Sequence, residues 1–453
     1  MPRVAEFSEN AQFILPSVEE KHCGFLSSLI PMRRHMKLTI SHLFVLFFIS
    51  FFLHFIFPPI GVADDATVLP QGVWRFQFDG QFSLPITKRF NKNGDKESLA
   101  EDFNVNINSG IFSDLSLVEM GFALTPGTGT LGRSHVKFER QINILNFQPA
   151  YGVTDRLSVG LIIPYWFQSL DVDASINTSN ATLGINSLVP GGIAPLGFGG
   201  TRPANVDDIQ SLLGQQGFDP IDDWDDEGFG DIVLGARYQY YKSDSWLLAF
   251  TGGVLFPTGG FDDPDNLVDN VPGNGYYALL FRFNQSWLGP NSGQNSQFAV
   301  PEAGSVLLHT TFSYDLNLPD THRYRVCNVN APICSAKDNH VDRDPGDIIQ
   351  AEVTGSIGLF SGLYLTPQYQ FGYKFKDHHT GNKDLDYGTL GDQTDFQDHW
   401  FKVGLNYSTF HLFREKVFPL PLIGTVFYQE RFLGNNNQYV SRYLGFVLRV
   451  YIQ

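Results

Sequence analysis

The chain has 453 residues, 14% aromatic and only 17% charged, with 44 glycines and a formal net charge of −16. Such a composition suits aromatic strands and tight turns rather than a helical enzyme. The acidic balance argues against a nucleic-acid partner.

The first elements are addressing signals. Residues 1–35 fit neither a signal nor a strand and read as an unstructured or non-native extension, with Met36 or Met32 as the start. Arg33, Arg34 and Lys37 then precede an apolar run from Leu43 to Phe57, and Gly61-Val62-Ala63 follows with small residues at the minus-three and minus-one positions. Residues 36–63 therefore read as a secretory signal peptide cleaved between Ala63 and Asp64. The run is short of the roughly 20 residues that a spanning helix needs.

After residue 64 the pattern has a period of two. In WRFQFDGQFSL, Trp74, Phe76, Phe78, Phe82 and Leu84 share one face, and Arg75, Gln77, Asp79, Gln81 and Ser83 the other. Further strands are predicted over 137–152, with a phase slip at Ile144-Leu145 that suggests a bulge, and over 157–166, 232–240, 246–256 and 277–287. Those over 306–314, 349–359, 363–375, 397–409, 419–432 and 438–452 bring the count to an even 12. Long and short connections alternate, with 86–136, 169–228, 258–274, 318–346 and 377–396 on the long side and only the last pair reversed. Short periplasmic turns, long outer loops and strands of this length predict an all-β fold, a transmembrane antiparallel β-barrel of about 12 strands occupying 64–453. Tyr151, Tyr165, Trp166, Tyr240, Tyr241, Trp246, Trp287, Tyr373 and Trp400 lie near strand ends and are expected to form the interfacial girdles. Tyr443, Gly445, Leu448 and Val450 loosely fit the last-strand signal read by the barrel-assembly machinery.

The polar parity directs Arg75, Asp79, Arg237, Arg282, His309, Glu352, Lys374 and Lys402 into the lumen. They either line a pore that selects solutes or fill a modest barrel with ion pairs. In the long loop 169–228, Asn205 caps a predicted short helix with Ile209, Leu212 and Leu213 on one face. That loop could fold into the mouth as a plug or lid, or pack on its neighbours for order alone. The run Asp222 to Gly228 mimics the start of a calcium loop but has Leu234 where the bidentate Glu is needed. With Asp262, Asp263, Asp265 and Asp269 it reads as a solvated acidic rim, or one that holds divalent cations near lipopolysaccharide. Cys327 and Cys334, spaced C-x6-C in an oxidising compartment, are a disulfide candidate. No cofactor motif or metal-ligand set occurs. His309 has no obvious partner, and Asp377, His378 and Asp384 lack a fixed geometry, so no set of nucleophile, base and orienting group supports an enzyme.

Three passages carry a resemblance: YGVTDRLSVGLIIPYW (151–166), GFGDIVLGARYQYY (228–241) and LAFTGGVLFPTGG (248–260). Their Tyr-Gly-Val-Thr-Asp turn, Gly-Asp strand start and Pro-Thr-Gly strand end resemble the family of outer-membrane transporters of the MetA pathway of phenol degradation. The resemblance implies an outer-membrane channel for small hydrophobic or aromatic compounds, and no catalytic residues come with it. A closed structural or surface-interaction barrel is the alternative, with an outer-membrane hydrolase third. Expected partners are outer-membrane lipid and lipopolysaccharide, the assembly machinery and a small-molecule solute, in a Gram-negative outer membrane.

Overall fold

Alternating side chains force a choice of solvent on each face of a strand, and closing the sheet leaves every backbone polar group paired. In the computed structural model, which describes residues 65–189, 191–289, 298, 300–326 and 336–453, the strands close into a barrel. The signal and extension before residue 64, and both Cys327 and Cys334, lie outside the described residues. Twelve antiparallel strands form the wall. In chain order they are β1 (Trp74–Ser83), β2 (Thr130–Thr154), β3 (Leu157–Asn177), β4 (Ile232–Lys242), β5 (Trp246–Phe256) and β6 (Ala278–Leu288). Then come β7 (Val306–Asn317), β8 (Ile348–Phe360), β9 (Leu363–Lys374), β10 (Phe396–Ser408), β11 (Leu422–Gly434) and β12 (Arg442–Ile452). Each pairs with the next, and β1 closes the ring on β12 with Trp74 opposite Ile452 and Phe78 opposite Leu448.

The outer surface names its solvent. Phe78, Phe82, Leu161, Leu234, Phe283, Leu308, Phe401, Leu405, Val426, Leu444 and Phe446 are all exposed on outward parity. A continuous apolar belt of this extent is not compatible with water, whereas lipid-facing strands of a barrel require it. Trp74 against Tyr151 (4.8 Å between rings) and Trp246 opposite Trp287 mark the periplasmic girdle, and Tyr165 with Phe229 and Tyr373 with Phe375 mark the outer one. The chain is thus a β-barrel whose wall is embedded in lipid. Two girdle expectations are corrected: Trp166 faces the lumen, and Trp400 is buried inside, where Arg431 lies over its ring at 4.4 Å.

The bulge expected at Ile144-Leu145 is also corrected. The register of β2 runs unbroken through it, with Ile144 opposite Trp166 and Leu145 opposite Tyr165. What changes there is the solvent. Below this level the outward residues of β2 are Tyr151, Pro149, Phe147 and Leu145, and above it they are Asn143, Gln141, Glu139 and Lys137. On the inner face the apolar residues begin instead: Ile142, Phe138 and Val136 are buried. β3 makes the same exchange after Phe167, with Asp171, Asp173 and Ser175 outside and Leu170 inside. These two strands have 25 and 21 residues, about twice the 9–11 that cross a bilayer. Their upper halves therefore stand in water as a wall roughly 30 Å high, taking about 3.3 Å per residue.

Against that wall the outer loops build their own core. Leu131, Leu183, Ile193, Phe112, Leu115 and Leu213 are buried together, joining loop 84–129, which carries α1 (Leu115–Gly121), to loop 178–231, which carries α2 (Val206–Gln215). Asn205 and Asp208 complete a capping box at the start of α2. The predicted loop 169–228 is shorter than expected, because 169–177 continue β3 and Trp224–Phe229 form a short strand on its edge.

Candidate functional site

The barrel wall projects small and polar side chains inward, and the structure divides the eight predicted lumen residues into two groups. Arg75, Asp79, Arg237, Arg282 and Lys402 surround a mid-lumen cavity of about 220 Å³. Asp79 accepts hydrogen bonds from Asn146 Nδ2 (2.5 Å), Gln148 Nε2 (2.6 Å) and Gln77 Nε2 (3.2 Å). Arg237 donates from Nε to Thr251 Oγ1 at 2.9 Å, and the Lys402 ammonium lies 4.0 Å from the centre of the Phe427 ring. Glu352 and His309 are in the filled half of the lumen. Glu352 accepts from Thr354 Oγ1 at 3.0 Å. His309, expected to stand without an evident partner, has Ser286: Nδ1 and Oγ are 2.8 Å apart. Lys374 stands at the outer rim, paired with Asp377 and donating to Thr394 O at 3.2 Å. Sequence reasoning missed Arg449, which shares the cavity and donates from Nε to Gln77 Oε1 at 2.9 Å. Parity counted along β12 would have found it.

At the periplasmic end the lumen is closed by the chain's own first described residues. Ala66 is fully buried inside the barrel; its N–H donates to Ser286 Oγ (2.9 Å) and its carbonyl accepts from Gln239 Nε2 (2.7 Å). Arg237 Nη1 donates to the Asp65 carbonyl at 2.8 Å, and Leu69 N–H to Ser158 Oγ at 2.8 Å. Leu69 and Val73 then pack with Val300, Tyr364, Phe410 and Tyr451, so α3 (Phe410–Arg414) and Val300 join the segment at this end. The Tyr-Gly-Val-Thr-Asp turn is its seat. Gly72 N–H donates to Gly152 O and Gly152 N–H to Val73 O, both at 2.9 Å, while Asp155 Oδ1 accepts from Gln71 N–H at 3.0 Å.

At the outer end the Gly-Asp and Pro-Thr-Gly elements meet in a second clasp. Asp231 accepts from Gly259 N–H (3.0 Å) and Asn274 N–H (2.7 Å), and Thr258 Oγ1 donates to Gly230 O (2.9 Å). This holds both ends of loop 257–277, whose middle leans inside the β2–β3 wall as a strap. Val268 O accepts from Arg140 Nη2 (2.6 Å) and Trp224 Nε1 (3.1 Å), and Asn270 O from Gln168 Nε2 (2.7 Å). The strap borders an outer vestibule of about 690 Å³ that Arg89, Phe138, Trp166 and Tyr439 also line.

Burial, reinforced by the Asp262 and Asp263 carboxylates and opposed by the Asp263 N–H and Arg140, pushes the Asp269 carboxyl up to about 6. Its ordinary value is 3.8. A carboxyl raised on folding supports the seated strap fully below the ordinary value and loses that support as pH rises through the folded value. Hydrogen exchange over residues 262–272, corrected for the intrinsic pH dependence, is therefore expected to be slower at pH 5 than at pH 7. Asp269→Asn should flatten the difference.

The remaining candidates are dispersed. Asp265 is held by Arg325 (2.7 Å), Lys337 (2.7 Å) and Arg323 (3.3 Å), and Asp263 by Arg323 (2.6 Å). The Asp222–Gly228 run ends in strand, with Asp223 Oδ1 accepting from Val172 N–H at 2.6 Å. Among the described residues no group of His, Cys, Asp and Glu could hold a metal ion. Asp377 is engaged by Lys374 and by Gly346 N–H (2.7 Å). His378 begins a three-residue strand paired with Asp342–Asp344. The apolar face of α2, with Ile209, Leu212 and Leu213, is turned into the loop core.

No curated protein matches the chain in sequence. Among solved structures it is similar to an outer-membrane channel from Pseudomonas putida F1, at 12% identity and a TM-score of 0.47, covering 87% of this chain and 100% of that one. It is also similar to the toluene transporter TbuX of Ralstonia pickettii (9% identity, TM-score 0.32, 84% and 89% covered). A FadL homologue from Pseudomonas aeruginosa is a third (8% identity, TM-score 0.27, 84% and 89% covered). The family model described as "Putative MetA-pathway of phenol degradation" matches residues 124–300. That span contains the outer clasp and the Gly152–Asp155 side of the periplasmic one, and over it the chain matches the family that its Tyr-Gly-Val-Thr-Asp, Gly-Asp and Pro-Thr-Gly elements resemble.

Proposed function

We propose that the protein is a passive outer-membrane channel for small hydrophobic or aromatic compounds, closed at rest by its N-terminal segment and bordered outside by the strap. The observation that carries this reading is the mid-lumen cavity: the barrel retains about 220 Å³ of space beside the N-terminal segment, which hydrogen bonds hold to the wall. The family match over 124–300, with its link to phenol degradation, supports an aromatic cargo. Solute would enter at the vestibule, pass the strap and cavity, and leave as residues 65–73 unseat. Nothing in the path supplies energy, so the direction follows the gradient. Loop 178–231 would act as a rigid collar, and the assembly machinery and lipopolysaccharide would be the partners of such a barrel.

The second reading, a closed structural barrel, is favoured by the seated N-terminal segment. Liposome swelling and planar-bilayer recording separate the two. Entry of phenol-sized solutes, with brief openings in the bilayer, is expected of a channel; silence in both assays would leave the structural barrel. A hydrolase is the weakest reading. The Ser286–His309 pair faces the lumen, both residues are buried, and Ser286 Oγ already accepts the Ala66 N–H.

A further inference from the structure

The cavity lining is richer in cations than in carboxylates. Arg75, Arg237, Arg282, Lys402 and Arg449 line it with Asp65 and Asp79, and Glu352 and Asp315 act on Lys402 and Arg282 from beyond the lining, in a protein whose formal net charge is −16. Both lining carboxylates take hydrogen bonds from neutral donors: Asp79 from three side-chain amides, and Asp65 from the Thr67 N–H at 2.7 Å and the Thr67 hydroxyl. Arg75 Nε is buried and has no hydrogen-bond partner among the described residues.

Beside Arg237 and Arg282 the wall has a bare patch. Gly160, Gly235 and Gly253 face inward at one level on three adjacent strands, paired Gly160 to Gly235 and Gly235 to Gly253. A Cβ at Gly235 would meet only the Gly252 carbonyl, at 3.5 Å, so room is left there, whereas one at Gly160 or Gly253 would have neighbours at 3.1 Å. Ile162, Val233 and Leu280 frame this slot and line the same cavity. An apolar cavity of about 150 Å³ accepts a benzene ring, and the space here is about 220 Å³. Guanidinium groups bind carboxylates through paired, charge-assisted hydrogen bonds.

Resting on the channel reading above, we propose that the mid-lumen cavity is a binding site for single-ring aromatic anions, such as aromatic carboxylates. The ring lies over the glycine slot and the anionic group meets the cationic wall. Low local dielectric strengthens that attraction and makes a cationic solute of the same size costly to admit.

The test compares benzoate, benzyl alcohol, benzylammonium and inorganic phosphate in proteoliposome entry at pH 7, with calorimetric binding of benzoate to the detergent-solubilised full chain. Benzoate is expected to enter about tenfold faster than benzylammonium, as charge-assisted contacts allow. Arg282→Gln combined with Lys402→Gln should remove that advantage, lowering benzoate entry far more than benzyl alcohol entry. Arg282→Lys, which keeps the charge, should retain most of it. Heat-modifiability on a gel confirms that each variant is a folded barrel. Equal entry of benzoate and benzylammonium, or wild-type benzoate entry in the double variant, overturns the proposal. Phosphate entering as fast as benzoate overturns the aromatic part. Should no solute enter at all, the channel reading fails, and the site is judged by calorimetry: benzoate binding lost in the double variant supports it, and no binding by the wild type overturns it.

Discussion

Gly152→Val is expected to unseat the N-terminal segment and turn a quiet barrel into a leaky one. A Cβ at position 152 would lie 2.0 Å from the Pro70 carbonyl oxygen and 2.7 Å from that of Leu69. These are backbone atoms with no rotamer to yield, so either the turn or the segment must move. The turn is tied into two long strands, whereas residues 65–73 hang on a handful of hydrogen bonds. The segment should therefore give way. Losing four or five such bonds, each with a net worth of about 1 kcal/mol, shifts the seated population by orders of magnitude. Bilayer recordings should show a several-fold rise in mean conductance, and a protease added from the periplasmic side should cut within 65–73. Unchanged conductance and resistance to cleavage would mean that the segment is no closure.

The second large effect concerns neighbouring residues on opposite faces. Phe78 is exposed on the lipid side and packs on Phe147 with ring centres 4.9 Å apart; Asp79 is buried inside. Phe78→Arg should destabilise the barrel by about 2–4 kcal/mol, the cost of a charge near the bilayer midplane. It would be measured as a lower urea midpoint for refolding into vesicles. Asp79→Asn keeps the shape and its place among Asn146, Gln148 and Gln77 while deleting a charge beside Lys402 and Arg449. It should hold stability within about 1 kcal/mol and change only which ions pass. Equal destabilisation by the two would contradict the assignment of faces.

Much of this barrel was readable because period-two alternation and a rhythm of long and short connections point to one architecture. Parity alone placed Phe78 outside and Asp79 inside. It failed where proximity to a strand end was used instead, as with Trp166 and Trp400, because an aromatic ring at the end of a strand can face either way. At Ile144 the reading assumed one solvent along the whole strand, whereas β2 passes from lipid into water without any break in register. The two closures were not legible. Ala66 and Val268 carry no motif; they matter through partners 220 and 128 residues away. The family motifs were visible, but the physical reason for Gly152 and Asp231 emerges only once the segments they clasp are in place.

That separation in sequence has a consequence for biogenesis. The seat of Ala66 is built from Gln239 and Ser286, on strands that follow it by far in the chain. Residues 65–73 can thus find their position only after those strands are in place. On the channel reading, a freshly inserted molecule would be open until they do. Slow or failed docking would then show as permeability of the envelope rather than as loss of activity.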